Sequence, residues 1–244
     1  MITIRPLTLS LLLGVIAIAL TLASLVSIYL GTLTVENQPF VDLRNIYIRL
    51  FDLNREANIP TWFASLLLTL NAFILAIIAM RTKAQQGPYY TQWFVLAAIF
   101  LYLSIDESAL LHEMTEKPVR RVLHVSGYLY FAWIIPAVCC LIVLGVYIRR
   151  FLFELPKNTR WLFLIGGAVF VSGAVGMEAI GSNIFSTTGG QKTMAYNVLA
   201  TVEEAFEMLG LLIFFYALLA YIADNMPEVV FSVKKSGSSS DLGD

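Results

Sequence analysis

Six long apolar runs, separated by short polar loops, dominate the chain. A helix that crosses a bilayer needs about 20 predominantly apolar residues, and each run meets that length. The predicted spans cover residues 7–31, 61–80, 93–113, 125–148, 161–185 and 197–222. The first run is too long for the apolar core of a signal peptide and lacks a small-residue cleavage site, so we expect it to be retained. The pattern predicts an all-α, polytopic transmembrane bundle that forms a single integral membrane domain over residues 1–226.

The polar stretch between the first two spans carries a second periodicity. Apolar residues recur there at helical spacing, with polar residues opposite; the apolar set is Leu43, Ile46, Tyr47, Leu50 and Phe51. This spacing predicts a short amphipathic helix that lies at the membrane interface, and an ordinary surface helix is the alternative. The last 18 residues, 227–244, contain the string Ser-Gly-Ser-Ser-Ser and are predicted to be a disordered C-terminal tail.

Composition strengthens the membrane interpretation. The chain is 58% hydrophobic and 14% charged, with a mean hydropathy of +0.76, whereas soluble domains carry about 25% charged residues. The net charge of −1 gives no electrostatic case for nucleic acid as a partner. Cys139 and Cys140 are adjacent within an apolar run, and we expect two small buried residues rather than a redox or metal pair. The expected surroundings are therefore the lipid bilayer.

Six spans place both termini on one side of the membrane. Basic residues are only slightly more numerous in the loops on that side, but the Arg149-Arg150 pair lies directly at the end of a span. Because cytoplasmic loops are enriched in Lys and Arg, this pair favours cytoplasmic termini. We expect a multi-pass protein of the plasma (inner) membrane.

The acidic residues are distributed in a way that topology makes informative. The third and fifth spans run in the same direction and carry their acids late, whereas the sixth runs in the opposite direction and carries its acids early. All these acids therefore fall at one membrane level, near the outer face, together with both histidines of the chain. The residues are Asp106, Glu107, His112, Glu113, His124, Glu178, Glu203, Glu204 and Glu207.

Helix geometry adds an expectation about facing. At 100° per residue, Glu203, Glu204 and Glu207 lie within one arc of the sixth span, and Asp106 and Glu113, seven apart on the third span, share a face. A carboxylate at mid-membrane costs about 2.5–3.5 kcal/mol. We therefore expect these side chains to face the interior and to be compensated there by protons, basic partners, water or a cation.

A divalent metal ion is the predicted compensation. Mixed imidazole and carboxylate ligands suit iron, manganese or zinc, and all-oxygen sets suit calcium. The chain has no Glu-x-x-His pair, so it departs from the usual pattern of di-metal helical bundles. The predicted ligands are Asp106, Glu107, His112, Glu178, Glu203 and Glu207, with Glu113, His124 and Glu204 as secondary candidates.

Several functions are compatible with this pattern. A metal-dependent membrane enzyme would act on a lipid or another membrane-soluble substrate. A proton- or cation-coupled transporter would use the same acids as a relay, and a structural or assembly subunit would bind a membrane-protein partner. Acids that are merely solvated at helix ends are a further alternative. Nucleotide-binding and hydrolase signatures such as the Walker loop, GxGxxG and HExxH are absent from the sequence.

Overall fold

The computed structural model describes residues 5–34 and 37–226 and folds them as helices joined by turns. The helices are α1 Pro6–Thr32, α2 Gln38–Phe51, α3 Ile59–Ala84, α4 Tyr90–Ala109, α5 Leu111–Leu123, α6 Ile134–Glu154, α7 Lys157–Val171, α8 Glu178–Thr187 and α9 Met194–Asn225. A π-helical segment, Ser172–Met177, joins α7 to α8, and a 3-10 turn, Gly127–Leu129, precedes α6. The predicted tail at 227–244 lies outside the described residues.

Five of these helical stretches are long and apolar enough to cross a membrane. They are α1, α3, α6, α9 and the continuous stretch Lys157–Thr187, which combines α7, the π-helical segment and α8. The pair α4 and α5, which meet at 81°, would make a sixth. The all-helical, membrane-compatible architecture is thus confirmed, while the count of six spans and the interfacial position of α2 stay predictions.

Glycines bring the helices at the centre of the bundle into close contact. A Cβ atom on Gly210 of α9 would lie 2.6 Å from the backbone nitrogen of Phe170 in α7. A Cβ atom on Gly173, in the π-helical segment, would lie 2.7 Å from the carbonyl oxygen of Glu203. Real side chains do not tolerate such distances, so the absence of a Cβ is what lets α7 and the π-helical segment lie directly against α9.

An aromatic cluster fills the end of the bundle where α4 begins and α9 ends. The Trp93 ring packs edge-on against Phe151 of α6 at 4.8 Å and against Phe163 of α7 at 5.9 Å, and it lies 5.1 Å from the ring of Tyr221 in α9. Trp93 is only 2% exposed. The acidic residues lie toward the opposite end, so this cluster separates them from the end where the chain begins.

The fourth predicted span begins too early. Residues 125–133 do not join α6, because their backbone is hydrogen-bonded to Ser182 of α8. The Ser182 hydroxyl donates to the carbonyl of Gly127 at 2.9 Å and accepts from the N–H of Phe131 at 2.9 Å. Pro136 consequently lies in the first turn of α6, where a missing N–H costs no hydrogen bond.

Two further details of α6 were unexpected. Cys139 and Cys140 are exposed on its surface, so the prediction that both are buried is wrong. The buried residues of α6 are Ile134 and Phe151, one near each end. The middle of this helix therefore packs against little of the described chain.

Candidate functional site

The third predicted span breaks at Leu110. This residue adopts a left-handed conformation with φ +56°, and α5 leaves α4 at 81°. The bend is held by Asp106, whose Oδ1 accepts the backbone N–H of His112 at 2.8 Å. That N–H is in the first turn of α5 and has no partner within the helix. The expectation that Asp106 and Glu113 share one continuous helical face is therefore wrong.

The same bend places the His112 ring on the Asp106 carboxylate. Nδ1 of His112 lies 2.8 Å from Oδ2 of Asp106. A carboxylate acceptor holds the proton on Nδ1, which leaves the lone pair of Nε2 available. Nε2 has no hydrogen-bond partner in the described part of the chain. Asp106 thus orients His112, and its predicted role as a direct ligand stays a prediction.

Trp133 connects this pair to α8. Its ring lies 4.7 Å from that of His112, and its Nε1–H donates to Oε1 of Glu178 at 3.1 Å. Glu203 lines the same cavity as Glu178. Trp133 was not among the predicted site residues.

These side chains line one cavity of about 590 Å³, hereafter the acidic cavity. Its wall includes eight of the nine predicted site residues; the ninth, His124, is exposed at the end of α5 and does not contribute. Two basic side chains, Arg55 and Lys192, also line the cavity. The nine carboxyl groups of the wall belong to Glu56, Asp106, Glu107, Glu113, Glu116, Glu178, Glu203, Glu204 and Glu207.

Several of these carboxyl groups have no hydrogen-bond or ion-pair partner in the described chain. Glu107, Glu204 and Glu207 face the acidic cavity and make no hydrogen bond or ion pair within the described chain. A half-buried carboxyl group without such a partner must be protonated, hydrated or bound to a cation. The described residues contain no group of three or more His, Cys, Asp or Glu side chains already arranged to hold a metal ion.

The acids at the rim have different surroundings. Partial burial, together with the neighbouring carboxyl of Glu113, raises the pKa of Glu56 above its usual range. Glu116 forms an ion pair with Arg120, whose guanidinium lies 4.0 Å from the centre of the Tyr130 ring and donates to the Tyr130 carbonyl at 3.1 Å. Glu116 therefore has its counter-charge within the protein, unlike the unpaired acids.

The sequence matches a family model described as "Domain of unknown function (DUF8692)" over residues 11–222. The chain belongs to this family. No curated protein and no solved structure matches it. The matched region runs from α1 into α9 and includes every residue that lines the acidic cavity.

The acidic cavity combines three kinds of chemical group. It has one oriented imidazole with an available Nε2, a carboxyl group that accepts a hydrogen bond from Trp133, and several carboxyl groups without partners. Such a set can bind a cation, and it can donate or accept protons next to whatever is bound.

Proposed function

We propose that this protein binds a divalent cation in the acidic cavity and uses it in a reaction on a membrane-soluble substrate. The observation that carries the proposal is that the unpaired carboxyl groups of Glu107, Glu204 and Glu207 and the available Nε2 of His112 border the same cavity. A bound divalent cation would compensate several of these negative charges together, which a single proton cannot do.

The donor set fits such an ion. His112, Glu178, Glu203 and Glu207 would be its principal ligands, with Glu107 and Glu204 as further donors. One imidazole among carboxylates suits iron, manganese or zinc, whereas calcium would be held by carboxylates alone. Because no three of these groups are already arranged around one point in the described chain, binding requires the glutamate side chains to rotate toward the ion. Glutamate has the rotatable bonds that allow this.

The residues of the chain have separate roles in this proposal. Asp106 holds His112 in the tautomer that presents Nε2, as carboxylates do for metal-binding histidines. The carboxyl groups of the wall that do not bind the ion would donate or accept protons next to the substrate. A divalent ion would polarise an oxygen atom of the substrate, activate water or carry redox chemistry.

Transport is the weaker proposal. A relay across the membrane needs polar groups beyond the cavity, but the cluster around Trp93, Phe151 and Phe163 occupies the bundle at the other end. No structural observation favours the alternative role of an assembly subunit. The cavity is instead closed toward one end, as expected of a site where a reaction takes place.

We further infer that α2 lies at the membrane interface. One of its faces presents Phe40, Leu43, Ile46 and Leu50, all at least 40% exposed. Tyr47, next to Leu43 and Leu50 on the helix, donates to the carbonyl of Ala23 in α1 at 3.3 Å. An apolar face next to a spanning helix is typical of an interfacial helix. The proposed location remains the plasma (inner) membrane with cytoplasmic termini.

Metal binding by purified protein tests the proposal. The protein, stripped of metal with a chelator, is titrated calorimetrically with Mn²⁺, Fe²⁺, Zn²⁺ and Ca²⁺. We expect one of them to bind stoichiometrically and Glu207→Gln to weaken its binding at least about tenfold. Glu154→Gln, on the exposed end of α6, is the matched control and should bind as the wild type does. Absence of stoichiometric binding, or equal weakening by both variants, would contradict the proposal.

A further inference from the structure

Part of the acidic cavity is an apolar cleft between α4, α6 and the π-helical segment Ser172–Met177. This apolar cleft is lined by Ile99 and Tyr102 of α4, Ala137, Leu141 and Leu144 of α6, and Ala174. The acidic cavity and the apolar cleft are one continuous space, polar at one end and hydrocarbon-like at the other.

The apolar cleft opens sideways, toward the lipid. Tyr102 and Cys140 line the cleft and are exposed, Tyr102 by 52%. The helix that forms one side, α6, is buried at Ile134 and at Phe151, close to its two ends, and is otherwise exposed or half-buried. Its middle therefore stands away from α4, which leaves an opening at the depth of the bilayer.

We propose that the apolar cleft admits the hydrocarbon chain of a membrane amphiphile whose amine or hydroxyl head group enters the acidic cavity. The charge of the wall selects the head: nine carboxyl groups face two basic side chains there, so phosphate and carboxylate heads are repelled. The volume of about 590 Å³ is that of a site for one small molecule, since ligand cavities span about 300–1,000 Å³. A single chain between two helices is consistent with that size.

The head group decides selectivity, because the chain gains little by leaving the bilayer. Lipid tails are as apolar as the side chains of the cleft, so burial of the chain contributes almost no hydrophobic free energy. Glu107 and Glu204, which lack partners within the described chain and are not among the principal ligands proposed above, supply the attraction for an amine or a hydroxyl hydrogen. This inference names the substrate class for the proposed function and rests on the same cavity, although not on the metal.

Photolabelling in lipid nanodiscs tests the inference. The probe is a 16-carbon primary amine with a diazirine near the end of its chain, and a 16-carbon phosphate monoester with the same diazirine is the comparison. We expect the amine to label peptides that contain Leu141 and Leu144, and the phosphate to label them far less. Ala137→Trp places an indole ring in the cleft and leaves too little room for the hydrocarbon chain, so it should lower amine labelling about tenfold.

The control lies on the same helix. A Cβ atom on Gly145 would meet nothing within 4 Å, so Gly145→Trp should label as the wild type does. If Ala137→Trp does not fold, a second measurement uses Cys140 in a Cys139→Ser background. We expect the amine to protect Cys140 from a membrane-permeant maleimide, and the phosphate to leave it reactive.

Metal binding is measured on the same samples, so the two proposals can fail separately. The amphiphile inference alone would be overturned if the protein binds a metal but the amine and the phosphate label it equally. It would also be overturned if the amine labels Ala137→Trp and Gly145→Trp equally. Failure of the amine to protect Cys140 would also overturn it. Head-selective labelling of α6 without any metal binding would support the inference and contradict the metal proposal.

Discussion

The substitution Asp106→Asn isolates the part that Asp106 plays in orienting His112. Asparagine keeps an oxygen in place of Oδ1, so it can still accept the N–H of His112 that holds the bend between α4 and α5. Its amide group replaces Oδ2 and brings an N–H toward Nδ1, 2.8 Å away in the wild type. Nδ1 must then accept, and the proton moves to Nε2. The variant changes which nitrogen is available and leaves the fold intact.

The size of the effect follows from that geometry. Removing the group that orients a metal-binding histidine typically weakens metal affinity about 10- to 100-fold, or about 1.4–2.7 kcal/mol. Asp106→Ala also removes the acceptor for the backbone N–H, so it should lower the free energy of unfolding by a further 0.5–2 kcal/mol or so, as loss of a helix cap does. Asp106→Asn should leave that free energy nearly unchanged.

Calorimetric titration with Mn²⁺ measures the effect in Asp106→Asn, His112→Gln and the double variant. If Asp106 acts through His112, the double variant should bind no more weakly than His112→Gln alone. Wild-type affinity in Asp106→Asn would refute the orienting role. So would losses that simply add in the double variant, because they would make Asp106 an independent ligand.

Two further predictions concern the packing around the site and its rim. Gly173→Ala should lower the free energy of unfolding by about 1–3 kcal/mol, since its Cβ would lie 2.7 Å from the carbonyl oxygen of Glu203. The control is Gly176→Ala in the same segment, whose Cβ meets nothing within 4 Å and which should leave stability unchanged. Equal melting temperatures of the two variants in detergent would contradict this. Glu56→Gln should stabilise metal-free protein at pH 7. The raised pKa of Glu56, caused by burial and by Glu113, means that wild-type stability is lost as the pH rises above the usual value of 4.5. The difference between the two proteins should therefore vanish below that pH, and a pH-independent difference would argue against the assignment.

The meeting of the acids can be predicted from the sequence because it depends only on span order and direction. Consecutive antiparallel spans bring the late part of one to the level of the early part of the next. That is why the order of the apolar runs is enough to assign Glu178 and Glu203, 25 positions apart, to one membrane level. That Glu178 and Glu203 bind a metal ion is a separate claim and stays a proposal.

The bend at Leu110 cannot be predicted in this way. No glycine or proline marks it, and the break depends on a side chain, Asp106, that competes for the backbone of a later residue. The role of Trp133 could not be predicted for a different reason. Residues 125–133 carry no charge and directly precede an apolar run, so the hydrophobic pattern includes them in that span. Pro136 is the available signal, because proline is favoured in the first turn of a helix.

Anomalous diffraction from crystals grown with the metal that binds most tightly is the most direct test of the central claim. We predict one anomalous peak in the acidic cavity, within about 2.0–2.6 Å of carboxyl oxygens of Glu203 and Glu207. For iron, manganese or zinc, Nε2 of His112 should lie at a similar distance. A well-ordered cavity without a peak, or a peak bound only to residues outside its wall, would contradict the account.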